Sequence, residues 1–242
     1  MKHHSSIKNP IKKMIENRKI FITLCLTLLA MSTNAQKVVP TATYINDNKI
    51  TVDSETDFTG QAPLEVTFRA NPQDMGEHTP AYEWHFRKEG EEKDILVRYE
   101  ENTQYTFLES GTFCVTLQTS LTDNGETLDS VTIKVTISES KLEFPNAFSP
   151  NGDKSNDIYG AKKDYRSIVE FHAYIFNRWG QKLYEWTDPA GGWDGKYKGN
   201  DVKEGVYYVL VKAKGADGRV YNIKKDVNLL RHYIEGSATE TK

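Results

Sequence analysis

Three stretches of strict alternation constrain this chain more than anything else in it. Leu64-Glu65-Val66-Thr67-Phe68, Phe113-Cys114-Val115-Thr116-Leu117 and Val131-Thr132-Ile133-Lys134-Val135-Thr136-Ile137 place apolar side chains at every second position, the period of a half-buried strand. Clusters of Gly, Pro, Asn and Asp separate them, and nothing between residues 36 and 140 has helical period. A strand apolar on one face must close that face against another layer, so residues 36–140 predict an antiparallel sandwich. Residues 171–176 and 183–186 flank a tight Gly-containing connection, which reads as a hairpin. Val206 to Val211 is β-branched and aromatic, Asp217-Gly218 marks another hairpin turn, and 220–223 and 227–230 complete a second sandwich. The fold class expected is all-β, two consecutive antiparallel sandwiches.

Lys12, Lys13, Arg18 and Lys19 precede an apolar run over 20–31 and then Ser-Thr-Asn-Ala, the order of a cleaved secretory signal peptide. The run has 12 residues, short of the roughly 20 of a membrane helix. The expected divisions are a signal peptide over 1–35, a sandwich over 36–140, a second over 141–235 and a flexible tail over 236–242. The polar seam Ser138-Glu139-Ser140 is short, which predicts halves that touch.

The formal net charge of −3 hides a partition. Residues 36–140 carry 8 basic and 19 acidic residues, net −11, and residues 141–242 carry 17 and 14, net +3. The remaining +5 lies in residues 1–35, and neither half of the chain beyond them has the basic excess of a nucleic-acid binder. The asymmetry fits an outward acidic half and a docking half, and equally the plain solvation of an exported protein.

Cleavage leaves Cys114 as the one cysteine, so no internal disulfide forms. Cys114 lies on the strand face opposite Phe113, Val115 and Leu117, where it is an inert small side chain or a thiol for an intermolecular bridge. The acidic run Glu89, Glu91, Glu92 and Asp94 lacks ligand spacing and reads as a solvated hairpin end, and His78 and His85 stand isolated. With no nucleophile beside a base, the chain reads as non-enzymatic.

The phrase Phe144-Pro145-Asn146-Ala147-Phe148-Ser149-Pro150-Asn151-Gly152-Asp153-Lys154-Ser155-Asn156-Asp157 is dense in turn formers. Asn151, Asp153, Ser155 and Asp157 alternate, so their oxygens could converge on Ca²⁺, although no bidentate Glu completes an EF loop. The competing reading is a loop bonded to its own backbone; apart from Ca²⁺ no cofactor is expected. Asn177-Arg178-Trp179-Gly180 has two readings as well. Arg178 and Trp179 form an exposed recognition point, or Trp179 fills the core and Arg178 ties down the turn, the commoner arrangement in sandwiches.

Ala62-Pro63-Leu64-Glu65-Val66-Thr67-Phe68, Tyr82-Glu83-Trp84-His85-Phe86 and residues 105–117 with Gly111 together resemble a PKD domain, which implies an immunoglobulin-like sandwich with Trp84 and Phe86 in its core. The usual Gly-Asp-Gly turn after Phe86 is replaced by the charged Arg87-Lys88-Glu89-Gly90-Glu91-Glu92. Pro145-Asn146-Ala147-Phe148-Ser149-Pro150-Asn151-Gly152-Asp153, Asn156-Asp157, Phe176-Asn177-Arg178-Trp179-Gly180, Trp193-Asp194-Gly195, Gly205-Val206-Tyr207 and a closing Leu229-Leu230-Arg231 resemble the gliding-motility-associated C-terminal domain. That is the type B sorting domain of the bacterial type IX secretion system. The resemblance implies export, recognition by the outer-membrane translocon and a PorP/SprF-type protein, and a place at the cell surface or outside the cell. Its candidate sorting or partner-binding residues are Pro145, Asn146, Phe148, Pro150, Asn151, Gly152, Asp153, Asn156, Asp157, Asn177, Arg178, Trp179, Gly180 and Arg231. The function expected is a small accessory or binding protein of that pathway, its PKD-like half making protein contacts. The alternative is a carbohydrate-binding or adhesive surface module, which would need a row of exposed aromatics on one sheet face.

Overall fold

The computed structural model describes residues 36–123 and 125–231. The expected signal peptide and tail lie outside them. All regular structure among the described residues is β.

The first half builds two broad sheets and a two-stranded ribbon of Lys37–Val38 with Pro72–Gln73. Four strands, in the order Thr51–Ser54, Thr41–Ile45, Leu64–Arg69 and Asn102–Phe107, form one. The other runs Phe58–Gly60, Thr127–Ile137, Gly111–Leu121, Pro80–Lys88 and Leu96–Arg98, antiparallel except where Phe58–Gly60 joins Thr127–Ile137 in parallel. The alternation does what it predicts. Phe113, Val115 and Leu117 lie opposite Val135, Ile133 and Val131 across one ladder, and Trp84 and Phe86 fall on the same side. Against them pack Leu64, Val66, Phe68 and Phe107 of the facing sheet. Trp84, 1% exposed, directs its indole N–H to the Glu100 carbonyl at 3.0 Å, so the largest side chain of this core leaves no donor unpaired.

The second half has one five-stranded sheet, in the order Ala147–Phe148, Val220–Leu229, Gly205–Gly215, Ile168–Phe176 and Lys182–Trp186. Its cover is not a second broad sheet. Two ribbons of two strands each, Tyr159–Gly160 with Gly192–Trp193 and Lys196–Tyr197 with Asn200–Asp201, together with loops, form the other layer. Phe144, Tyr159 and Trp193 hang from that layer onto Phe148, Ile175, Val209, Val227 and Leu229. Burial holds the Tyr159 phenol far above its ordinary pKa, with Asp226 adding to the shift.

The halves meet along a hydrogen-bonded seam. Ser140, 5% exposed, donates through Oγ to Asp217 Oδ1 at 2.7 Å and meets Tyr221 Oη at 2.8 Å. Ser167 Oγ accepts from the Ala62 N–H at 3.3 Å and lies 2.9 Å from Ser138 Oγ, and the Ser110 N–H donates to the Ala216 carbonyl at 3.0 Å. Ala216 belongs to the first half's apolar cluster although it lies 76 residues beyond Ser140 in the chain. Gly215 makes the approach possible, since a Cβ there would sit 2.1 Å from Ser140 Oγ.

Candidate functional site

The connection between Ile168–Phe176 and Lys182–Trp186 is built around one side chain. Asn177 Oδ1 accepts from the backbone N–H groups of Trp179 at 3.0 Å and Gln181 at 3.1 Å, and its Nδ2 donates to Gln181 Oε1 at 3.0 Å. The Gly180 N–H closes the turn on the Asn177 carbonyl at 3.0 Å, with Gly180 at φ +79°, a conformation that suits glycine. The result is a fixed pedestal. On it Trp179 is 75% exposed, the most exposed large hydrophobic side chain among the described residues. The Arg178 guanidinium lies 4.2 Å from the centre of its ring, a cation–π contact of about 0.5–1 kcal/mol at an exposed site.

Trp179 is therefore not in the core, as the commoner arrangement would have it. Residues 178 and 179 project beyond the last paired residue, Phe176, where strand alternation no longer assigns a face. Beneath the tip runs a groove of about 460 Å³ floored by Leu183, Tyr197, Val202 and Tyr207 and walled by Lys203 and Val206. Gln181 Nε2 donates to Tyr197 Oη at 3.1 Å and Tyr207 Oη to the Lys203 carbonyl at 2.6 Å, which holds the floor. Sequence reasoning missed Lys203, Val206 and the floor. Val206, 47% exposed, was legible in principle, as an apolar residue at an outward position of an alternating strand.

The other predicted site residues divide between loop and frame. Phe148, 3% exposed, is core, and its backbone pairs with Leu229. The Pro145 carbonyl accepts from Tyr159 Oη at 3.2 Å, and the Asn146 carbonyl accepts from the Asn228 N–H at 2.9 Å. Arg231 is a clamp. Its guanidinium donates to the carbonyls of Pro150 at 3.1 Å, Gly195 at 2.8 Å and Val202 at 3.3 Å, and sits 3.4 Å from Asp201. The loop at Pro150 and both ends of the Lys196–Tyr197/Asn200–Asp201 ribbon thus converge on one charge whose side chain is only 19% exposed, which makes Arg231 part of the frame.

The proposed cation loop bonds to itself. Asp157 accepts from the N–H groups of Gly152 and Lys154 at 2.7 and 2.8 Å, and Asp153 from Ser155 N–H and Asn151 Nδ2, both at 2.8 Å. The Asn151 side-chain oxygen accepts from the Asp153 N–H at 3.0 Å. Donation from Ser155 and Asn151 holds the Asp153 carboxyl below its usual pKa without any cation. Lys154 and Asn156 take φ of +71° and +51° within this loop, and Asn156 also donates its place to the frame, its carbonyl accepting from the Ser149 N–H at 2.8 Å. Within the loop the side chains of Asn151, Asp153 and Asp157 all bond to neighbouring loop groups. No cluster of three or more metal-ligating His, Cys, Asp or Glu side chains occurs among the described residues.

In the first half, Cys114 faces outward as expected, beside Thr116 and opposite Arg87. The isolated histidines are in fact partnered, His78 Nδ1 with Asp123 and His85 Nδ1 with Asp94, each at 2.7 Å. Arg87 reaches the other Asp94 oxygen at 2.7 Å, and these hydrogen bonds, Arg87's first, lower the Asp94 pKa. The aromatic row needed for sugar stacking does not form from tryptophans, because Trp84, Trp186 and Trp193 are buried. On the outward sheet face His172 and Tyr174 stack on each other with centres 4.2 Å apart, which occupies one face of each ring.

Residues 142–225 match the family described as CHU_C Type IX secretion signal domain. No curated protein matches the chain. Among solved structures, it is similar to a Bacteroides ovatus protein, the mixed-linkage glucan utilization locus SGBP-B in complex with a mixed-linkage heptasaccharide. That match has 14% identity and a TM-score of 0.26, and covers 82% of this chain and 48% of that one. A tetra-tandem repeat in the extending region of a large adhesion protein is similar at 12% identity and a TM-score of 0.27, with 83% of this chain and 58% of that one covered. The chain thus spans about half the length of these structures, and at that level of likeness neither protein's ligand transfers to it.

Proposed function

We propose, from the premise that the chain carries a type IX secretion signal domain and is therefore exported, that it is a small non-enzymatic surface protein whose second half docks on the outer-membrane translocon or a PorP/SprF-type partner through the Arg178–Trp179 tip. The first half, PKD-like in sequence, makes protein contacts outside the cell. One observation carries the docking surface. The half that matches the secretion signal domain spends its most exposed tryptophan on a rigid, hydrogen-bonded turn above a groove, where neither stability nor solubility calls for it. The test is surface display of an epitope-tagged chain. Removal of residues 142–231 abolishes display, and the double substitution Arg178→Ala, Trp179→Ala reduces capture of the outer-membrane partner at unchanged thermal stability. Display of residues 36–140 alone would overturn the reading.

A further inference from the structure

The wall of the groove is an incompletely paired strand. Gly205, Val206 and Tyr207 lie opposite Leu229, Asn228 and Val227 on one side. On the other side the neighbouring strand stops at Phe176, opposite Tyr208. For those three residues the ladder is therefore one-sided, and backbone N–H and C=O groups on the open side point where a further strand would run. An open stretch of this kind is a template for strand addition. In the middle of a sheet, roofed by a turn, it is also shielded from the promiscuous pairing that a full-length edge invites.

The side chains around this opening are complementary to a particular kind of strand. Trp179, Leu183 and Val206 offer apolar contact. Arg178 and Lys203 bring two cations to the rim, and neither has a carboxylate partner among the described residues. The one acidic side chain of the lining, Glu204, is already engaged by the Arg231 N–H. A sugar chain lacks donors and acceptors at strand spacing, and a lipid surface cannot enter a groove roofed by a turn.

We infer that this groove receives an extended peptide segment of the export partner. It adds as a short strand against Gly205, Val206 and Tyr207, sets an apolar side chain under Trp179, and points acidic side chains at Arg178 and Lys203. The inference rests on the docking role proposed above and gives its partner a chemistry: an extended segment with alternating apolar residues and flanking Asp or Glu.

The test uses the full chain after signal removal, immobilised, with a displayed library of random twelve-residue peptides as the probe. Selected peptides are expected to alternate and to carry acidic residues. A selected peptide should lose at least tenfold in affinity when its alternate backbone nitrogens are methylated, and at least tenfold against Arg178→Glu or Lys203→Glu chains. Both substitutions are at exposed positions, and unchanged thermal unfolding of each variant confirms that the fold persists. Selection of no peptide that depends on the groove, binding indifferent to N-methylation, or a preference for basic sequences overturns the inference. So does groove-dependent binding of laminarin or of phosphatidylethanolamine vesicles in place of peptide. Surface display of the same variants separates the two ideas. Display intact while peptide binding is lost leaves a peptide site and sinks its role in export. Display lost in chains whose groove never selects a peptide keeps the docking role and sinks strand addition.

Discussion

The first half covers its five-stranded sheet with a second, four-stranded sheet, whereas the second half covers its own with two short ribbons and loops. A sheet as cover brings its own hydrogen bonds, so its side chains have only to pack. Loops as cover leave backbone groups to be satisfied one at a time, and the second half does this with side chains: Asp157 and Arg231 each bind two or more backbone groups. The hairpin turn of the five-stranded sheet uses the same device, with Asn177 Oδ1 holding the N–H groups of Trp179 and Gln181 so that Trp179 keeps a fixed pose.

The largest test of this contrast is in the loop-built core. Trp193 is fully buried against Phe148 and Tyr207 and donates to the Lys196 carbonyl at 2.8 Å. Trp193→Ala is expected to cost about 3–5 kcal/mol, with hydrogen exchange rising first in residues 145–160 and 192–202. Equal loss of protection in both halves' central ladders would erase the distinction. Next comes Arg231→Met, which leaves three carbonyls without their shared donor. Since hydrogen bonds to charged groups contribute about 1.5–3 kcal/mol, denaturant unfolding should shift by roughly that amount, with the first half's amides unaffected in exchange experiments. Gly215→Val forces Ser140 aside, at about 1–3 kcal/mol for the overpacking, and should turn one calorimetric transition into two.

Acid addresses the seam more gently. Burial raises the Asp217 pKa, but donation from Ser140 Oγ and the backbone N–H groups of Arg219 and Ser140 outweighs it, and the net shift is downward. A depressed folded value means the contribution is complete above the ordinary aspartate pKa near 3.9 and is lost as pH falls through the lowered one. Proteolysis at residues 138–141 should therefore accelerate below about pH 4 in the native chain, and Asp217→Asn should be susceptible at neutral pH too. The smallest effect on stability is expected at the tip, where Trp179→Ala stays within about 0.5 kcal/mol while partner capture falls. A large destabilisation there would mean that the tip belongs to the frame after all.

How far the chain can be read without coordinates follows the same division. Alternation and turn formers placed the central ladders of both halves because each strand's face is decided by its immediate neighbours. The four oxygen side chains of residues 151–157 were open to two readings because cation ligands and Asx turns use the same atoms. The clamp at Arg231 was not legible. Its partners are carbonyls of Pro150, Gly195 and Val202, groups every residue possesses and no sequence pattern marks. Trp179 stayed open between core and recognition point for a related reason, since nothing local distinguishes a tryptophan just inside a hairpin from one just beyond it.

The seam at Ser140 makes the chain a pointing device. Three residues of connection reach about 10 Å at most, and here their polar groups are tied to Asp217, Tyr221, Ser167 and Gly60. The link has no slack with which to swivel. A partner that grips the Arg178–Trp179 tip, as proposed above, therefore also sets the bearing of the acidic first half, so a single contact at one end of the molecule fixes the orientation of the other.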